Sequence, residues 1–189
     1  MNTIQLECFV AVAEHLNFSK ASLALKLTQP AVSHQIQAVL GVREESKKIS
    51  LSFHEICSVP FTCICSPDHP LAQYRALTTA QLEGNFIACS PRQISDSIFR
   101  IHSNVLTTLP QENRLFNESI EGALALVKAK MGYTLYPDIQ ASREPDLCYI
   151  PVTDLPKISF GVYCQYRNRQ PVLKRFLTLL EQSIRKEHF

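Results

Sequence analysis

The sequence predicts a mixed α/β chain that opens with a three-helix unit, and three observations predict it. Apolar residues recur at helical spacing in short segments across the first 40 residues, and strands alternate with helices from about residue 49 onward. Apolar residues make up 46% of the chain and charged residues 19%, so the 189 residues can bury a core and are not expected to be disordered.

In "IQLECFVAVAEHL" (4–16), Leu6, Phe9, Val10 and Ala13 fall on one helical face. "NFSKASLALKL" follows, with Asn17 or Ser19 as N-cap and Ala21 and Leu25 inward. "LTQPAVSHQIQAVL" starts a third helix, capped by Thr28, with Pro30 in the first turn, where its missing N–H costs nothing.

The second part reads as α/β. "FTCIC" (61–65) is a strand stopped by "SPDHP", and "LTTAQL" is a helix with capping-box spacing between Thr78 and Gln81. "NFIACS" is a strand, and "SDSIFRIHSNVLTTL" a helix with Ile98, Ile101, Val105 and Leu109 inward, ended by Pro110. "RLFNES" is a short strand. Ser119 caps "IEGALALVKAKM", which stops at Gly132. "YTLYP", "CYIPV" and "ISFGVYCQY" are strands, the last with Ile158, Phe160, Val162 and Cys164 on one face. Pro171 opens a last helix to about Arg185. Strand–helix alternation of this kind needs covered sheet faces.

Residues 18–37 have the spacing of a helix-turn-helix. Val32 and Ile36 share one arc of the second helix, while Pro30, Ser33, His34 and Gln37 share the other, with Gln29 at the N-terminus. The first residues of such a helix reach base edges in the major groove. Gln can bond adenine in a bidentate way, Ser bonds several edges, and His can donate to guanine or phosphate. Against this, Lys20 and Lys26 are balanced by Glu7 and Glu14, and the whole chain carries only +2. On chemistry alone, a small three-helix core with a polar outer face fits equally well.

The stretch "FVAVAEHLNFSKASLALKLTQPAVSHQIQAV" closely resembles the helix-turn-helix of LysR-type transcriptional regulators, above all in "LTQPAVSHQI". Two residues depart from that pattern: Ser22 stands where a second alanine is usual and His34 where arginine is usual. "CSPDHPLAQ" with "LTTAQLEGNFIAC", and "SIEGALALVKAKMGYTLYPD", are similar to the family's effector-binding region. The resemblance implies a winged-helix-type unit lacking its wing, followed by a partial periplasmic-binding-protein-like effector domain. Residues 1–40 would be the DNA-binding domain, 41–60 a junction and 61–189 the partial effector domain. The family's wing, its dimer-forming linker helix and the first half of its effector domain have no counterpart here, and "AVLGVREE" looks like a later effector strand. A join near Ala38 or Val39 would explain both halves. Val39–Val42 are apolar enough for strand or helix, and "REESKK" (43–48) reads as a solvated loop.

What the resemblance implies about function is sequence-specific binding of double-stranded DNA. Gln29, Pro30, Ser33, His34 and Gln37 would form the reading face, and Ser19, Lys20 and Thr28 would be phosphate partners. A small-molecule inducer would lie near Ser90 and Gly132, although Ser90 can equally start a helix and Gly132 cap one. Two rival expectations stand beside this one. The chain could be a ligand-binding or interaction module that pairs with a second copy or a full-length relative, or it could be an internally deleted remnant.

Other classes are disfavoured. Cys57, Cys63 and Cys65 with His54 and His69 lack paired C-x2-C spacing, so the seven cysteines read as buried thiols in a reducing compartment, with no metal or other cofactor expected. No nucleophile elbow, glycine-rich phosphate loop or paired carboxylate suggests an enzyme. No apolar run is long enough for a membrane span, and no signal peptide is evident, so a cytoplasmic location is expected.

Overall fold

Helices α1 (Thr3–His15), α2 (Phe18–Ala24) and α3 (Gln29–Ile36) begin the chain in a computed structural model that describes residues 3–15, 17–36, 38–43, 51–92, 94–165 and 177–178. Asn17 is the cap of α2, its side chain accepting from the Lys20 N–H at 3.0 Å. The helix ends in a Schellman turn: Leu27 N–H donates to Ser22 O at 2.9 Å and Lys26 N–H to Leu23 O at 3.2 Å. Lys26 holds the left-handed position of that turn at φ 54°. Thr28 then caps α3, its Oγ1 accepting from Ala31 N–H at 3.3 Å.

The three helices touch pairwise around Cys8, Ala11, Val12, Phe18, Ala21 and Val32, all buried. Of the four residues expected inward on α1, Val10 is 47% exposed, and the side chains of Leu6, Phe9 and Ala13 lie outside the described residues. Almost every residue from Leu6 to Ala13 is apolar, so periodicity alone could not fix the phase, and packing against α2 and α3 does.

The chain divides into two compact units, one formed by Met1–Arg43, Lys47–Ser58 and Ser159–Phe189, the other by Glu44–Ser46 and Val59–Ile158. In the first, β1 (Ala38–Val42) starts directly beyond α3 and pairs antiparallel with β8 (Ile158–Gln165), Ala38 opposite Cys164 and Val42 opposite Phe160. Long-range pairing thus makes "AVLGV" a strand, where local pattern allowed either state. On the other side of β8 lies β2 (Leu51–Val59), a strand the sequence reading did not foresee. A Cβ at Gly161 would fall 2.1 Å from His54 O, so this approach of β8 to β2 requires glycine.

In the second unit, β3 (Phe61–Cys65) is wholly buried between β6 (Thr134–Pro137) and β7 (Cys148–Pro151), antiparallel to both. β4 (Phe86–Cys89) and β5 (Arg114–Asn117) are parallel, and α4 (Asp96–Thr108) is their crossover. Ile87 N–H donates to Tyr133 O at 2.8 Å and Tyr133 N–H to Asn85 O at 2.9 Å, tying β4 to the start of β6. On α4, Ile98, Ile101, Val105 and the following Leu109 are buried as expected. α5 (Ile120–Lys128) is capped by Ser119, whose hydroxyl accepts from Gly122 N–H at 3.1 Å.

"LTTAQL" is not an α-helix but a single 3-10 turn, Thr79–Gln81. Its capping bond forms, Thr78 N–H to Gln81 Oε1 at 2.8 Å, yet the chain on either side is committed elsewhere. Leu77 N–H donates to Pro151 O at 2.8 Å, and Gly84 turns the chain at φ 90° into β4. The expected helix from Pro171 lies outside the described residues except at 177–178.

Candidate DNA-reading helix and effector pocket

At the start of α3, Gln29 and Pro30 are exposed, as is Thr28 before them, while Val32 is fully buried. This split follows from the cap. Thr28 and Pro30 fix the first turn, and Val32 anchors the helix on α1 and α2, leaving the N-terminal residues outward with the positive end of the helix. Ser33 is half-buried on the same helix, Ser19 is exposed and Lys20 half-buried near the start of α2. His34 lies in α3, but its side chain, like Gln37, is outside the described residues. Ser22, the unusual residue of α2, is buried, and its hydroxyl donates to Ser19 O at 2.9 Å, so the extra oxygen is satisfied within the helix.

The second site is a pocket of about 360 Å³ at the carboxyl ends of the parallel strands β4 and β5. In open α/β sheets that end is where ligands bind. Ser90 follows β4 and lines it, and Ser90 N–H donates to Asn117 O at 2.9 Å, which closes the strand pair beneath the pocket. Phe99 and Leu106 of α4 and Phe116 of β5 form an apolar wall, and Asn117 and Glu118 a polar rim. Phe99 is 37% exposed and Phe116 is 69% exposed, so these rings face the opening.

His102 forms the floor, and the sequence reading did not single it out. It is fully buried, with Nδ1 accepting from Cys89 N–H at 3.2 Å and Nε2 2.8 Å from Leu135 O. This pairing requires the neutral ring protonated on Nε2, and burial correspondingly pushes its pKa below the ordinary value. The imidazole therefore clamps α4 to β4 and β6 and leaves no ring nitrogen for a ligand. The only sequence signal was a histidine beside the inward positions Ile98, Ile101 and Val105.

Gly132 is not brought to this pocket. It sits beside Asn85, at the opposite end of β4 from Ser90, with φ 158°, and a Cβ there would fall 2.1 Å from Asn85 O. Its geometry serves the passage from α5 into β6. Of the cysteines weighed as metal ligands, Cys63 and Cys65 are buried in β3 and Cys57 lies in β2, and no metal-holding group of three or more ligands occurs among the described residues.

Two family models match the chain. The profile described as "LysR substrate binding domain" matches residues 27–185, and that described as "Bacterial regulatory helix-turn-helix protein, lysR family" matches residues 4–39. Among curated relatives, the uncharacterised HTH-type transcriptional regulator YvbU of Bacillus subtilis (strain 168) is 54% identical over 39 residues, which is 21% of this chain and 13% of that protein. The chain therefore matches only a small part of that relative's length.

Among solved structures, the effector-binding domain of QuiR in complex with shikimate has a TM-score of 0.57 at 16% identity, covering 81% of this chain and 73% of that one. Full-length CbnR complexed with its target DNA has a TM-score of 0.56 at 13% identity, covering 97% and 100%. At these identities the likeness speaks for fold, and no helix among the described residues is long and apolar enough to cross a membrane. Because the effector-domain profile spans residues 27–185 and the helix-turn-helix profile residues 4–39, the chain belongs to the LysR family.

Proposed function

We propose that the chain is a DNA-binding transcriptional regulator whose α3 enters the major groove and whose pocket takes a small effector. The observation that carries the DNA reading is the outward placement of Gln29 and Pro30 on a helix anchored by Val32, in a segment matching the family's helix-turn-helix profile. Gln29, Pro30, Ser33, His34 and Gln37 form the reading face, and Ser19, Lys20 and Thr28 meet phosphates. If Gln29 bonds an adenine, Gln29→Ala costs about 1–3 kcal/mol at one base position and little elsewhere. Band-shift titration against a set of single-base operator variants tests this, and a uniform loss over every variant would contradict it.

For the effector, Ser90, Asn117 and Glu118 supply the polar contacts and Phe99 and Phe116 the apolar wall. The likeness in fold to the effector-binding domain of QuiR in complex with shikimate supports a small polar ligand. Calorimetric screening of small hydroxy acids, repeated on Phe99→Ala, is the direct test. Heat that persists unchanged in the variant would place the ligand elsewhere.

A second reading is favoured by one observation. Ile4, Val10, Leu23 and Leu27 of the helical unit are 40–78% exposed, which is apolar surface suited to a partner such as a full-length relative. Light scattering with and without a co-expressed relative separates the readings, because an interaction module would be found only in the mixed assembly. If the chain were an internally deleted remnant, the purified protein would be aggregated or unfolded.

A further inference from the structure

Three thiols meet at one end of the β6–β3–β7 sheet. Cys63 and Cys65 are alternate residues of β3 and share a face, and both are fully buried. Cys148, at the start of β7, is directly opposite Cys65 in the antiparallel register and is half-buried.

The phase of the ladder fixes the kind of pair. Val152 N–H donates to Phe61 O at 3.0 Å, and this pair lies four residues along from Cys65 and Cys148. The two cysteines thus occupy a hydrogen-bonded position, where facing Cα atoms are about 5.5 Å apart. That separation is within the roughly 4.4–6.8 Å spanned by disulfides. The alternatives are worse placed: Cys63 and Cys65 are about 6.7 Å apart along the strand, and Cys63 meets Cys148 only on the diagonal, at about 7–8 Å.

We propose that Cys65 and Cys148 are a reversible dithiol pair, oxidised by exchange with a small dialkyl disulfide. Cys148 is the entry point because it is the accessible thiol of the three. Its thiolate attacks one sulfur of the dialkyl disulfide, the S–S bond breaks, and one alkyl thiolate leaves and is protonated. Cys65 then attacks the Cys148 sulfur of the mixed disulfide and expels the second alkyl thiolate. Two cysteine thiols are oxidised, one dialkyl disulfide is reduced to two thiols, and the two protons pass to those thiols.

Cys63 helps the second step. A hydrogen bond from its S–H holds the Cys65 thiol below its ordinary pKa despite burial, which favours the attacking thiolate. The cross-link would enclose β4, α4, β5, α5 and β6, and with them the pocket, in one covalent loop. The redox state of this pair therefore bears on the segment that carries the pocket.

The test uses the full chain, reduced and then freed of reductant, incubated with oxidised glutathione, digested at acid pH and read by tandem mass spectrometry. The expected product is a link between Cys65 and Cys148, reversed by dithiothreitol and retained in Cys63→Ser. In Cys65→Ser, glutathione should instead remain attached at Cys148. A wild-type chain that stays fully reduced, keeps glutathione on Cys148, or links Cys148 through Cys63 would overturn the proposal. The wild-type peptide map alone decides it, whether or not the variants fold.

Discussion

His102 is the residue on which the pocket's floor depends. Removing its ring in His102→Ala would leave Cys89 N–H and Leu135 O unpaired in the core and open a cavity, at a cost of about 3 kcal/mol or more. Urea titration of the unit's unfolding checks this, and a loss under about 1 kcal/mol would mean the two bonds contribute little net stability. The same ring makes stability depend on pH. Its folded-state pKa lies below the ordinary histidine value of 6.5, so the unfolded chain takes up the proton first as pH falls. The contribution is present above about pH 6.5 and is lost as pH falls from there through the lowered folded value. His102→Leu, which cannot titrate, should flatten that part of the stability profile. Ser22 makes a milder case, because its hydroxyl is satisfied by Ser19 O within the same helix. Ser22→Ala should change stability by less than about 1 kcal/mol. The sequence showed both residues but not their partners: Ser22 stood out only against a family pattern, and His102 only as a polar residue on an apolar stripe.

At the scale of elements, caps were the legible features, because a cap is a local bond between neighbours. Thr28 and Ser119 cap α3 and α5 as their spacing predicted, and Asn17 takes the place of the two candidates before α2. What depended on distant partners was not legible. β1 is a strand because β8 pairs with it, and "LTTAQL" stays a single turn because β7 holds Leu77. Left-handed positions are a further case in which backbone demand exceeds residue preference. Gly132 meets Asn85 so closely that Gly132→Ala should cost more than about 1–3 kcal/mol and broaden the thermal transition. Lys26, by contrast, holds φ 54° with a side chain that pays for the strain, so Lys26→Gly should raise the melting temperature by relieving about 1 kcal/mol. If Lys26 also meets phosphate, the same substitution weakens DNA binding while it stabilises the fold, and measuring both on one sample separates the roles.

For the whole molecule, charge limits what DNA binding can look like. The helical unit carries Lys20 and Lys26 as its lysines, against Glu7 and Glu14, and the chain's net charge is +2. A single copy that neutralises about two phosphates should show log K falling with log salt at a slope near −1.8, and two copies on paired half-sites a slope near −3.6. Both are shallow, and this follows from the sequence directly, since counterion release counts cations and not contacts. The slope therefore reports copy number on the DNA without a structure of the complex. Measured between about 50 and 200 mM salt, where the dependence is well resolved, a slope near the lower value would mean that a lone α3 binds. A value near the higher one, with light scattering showing a dimer, would mean that two copies of the chain bind paired half-sites. A slope steeper than about −6 would place more phosphate contacts on the chain than its helical unit can supply, and would move the DNA-binding surface away from α3.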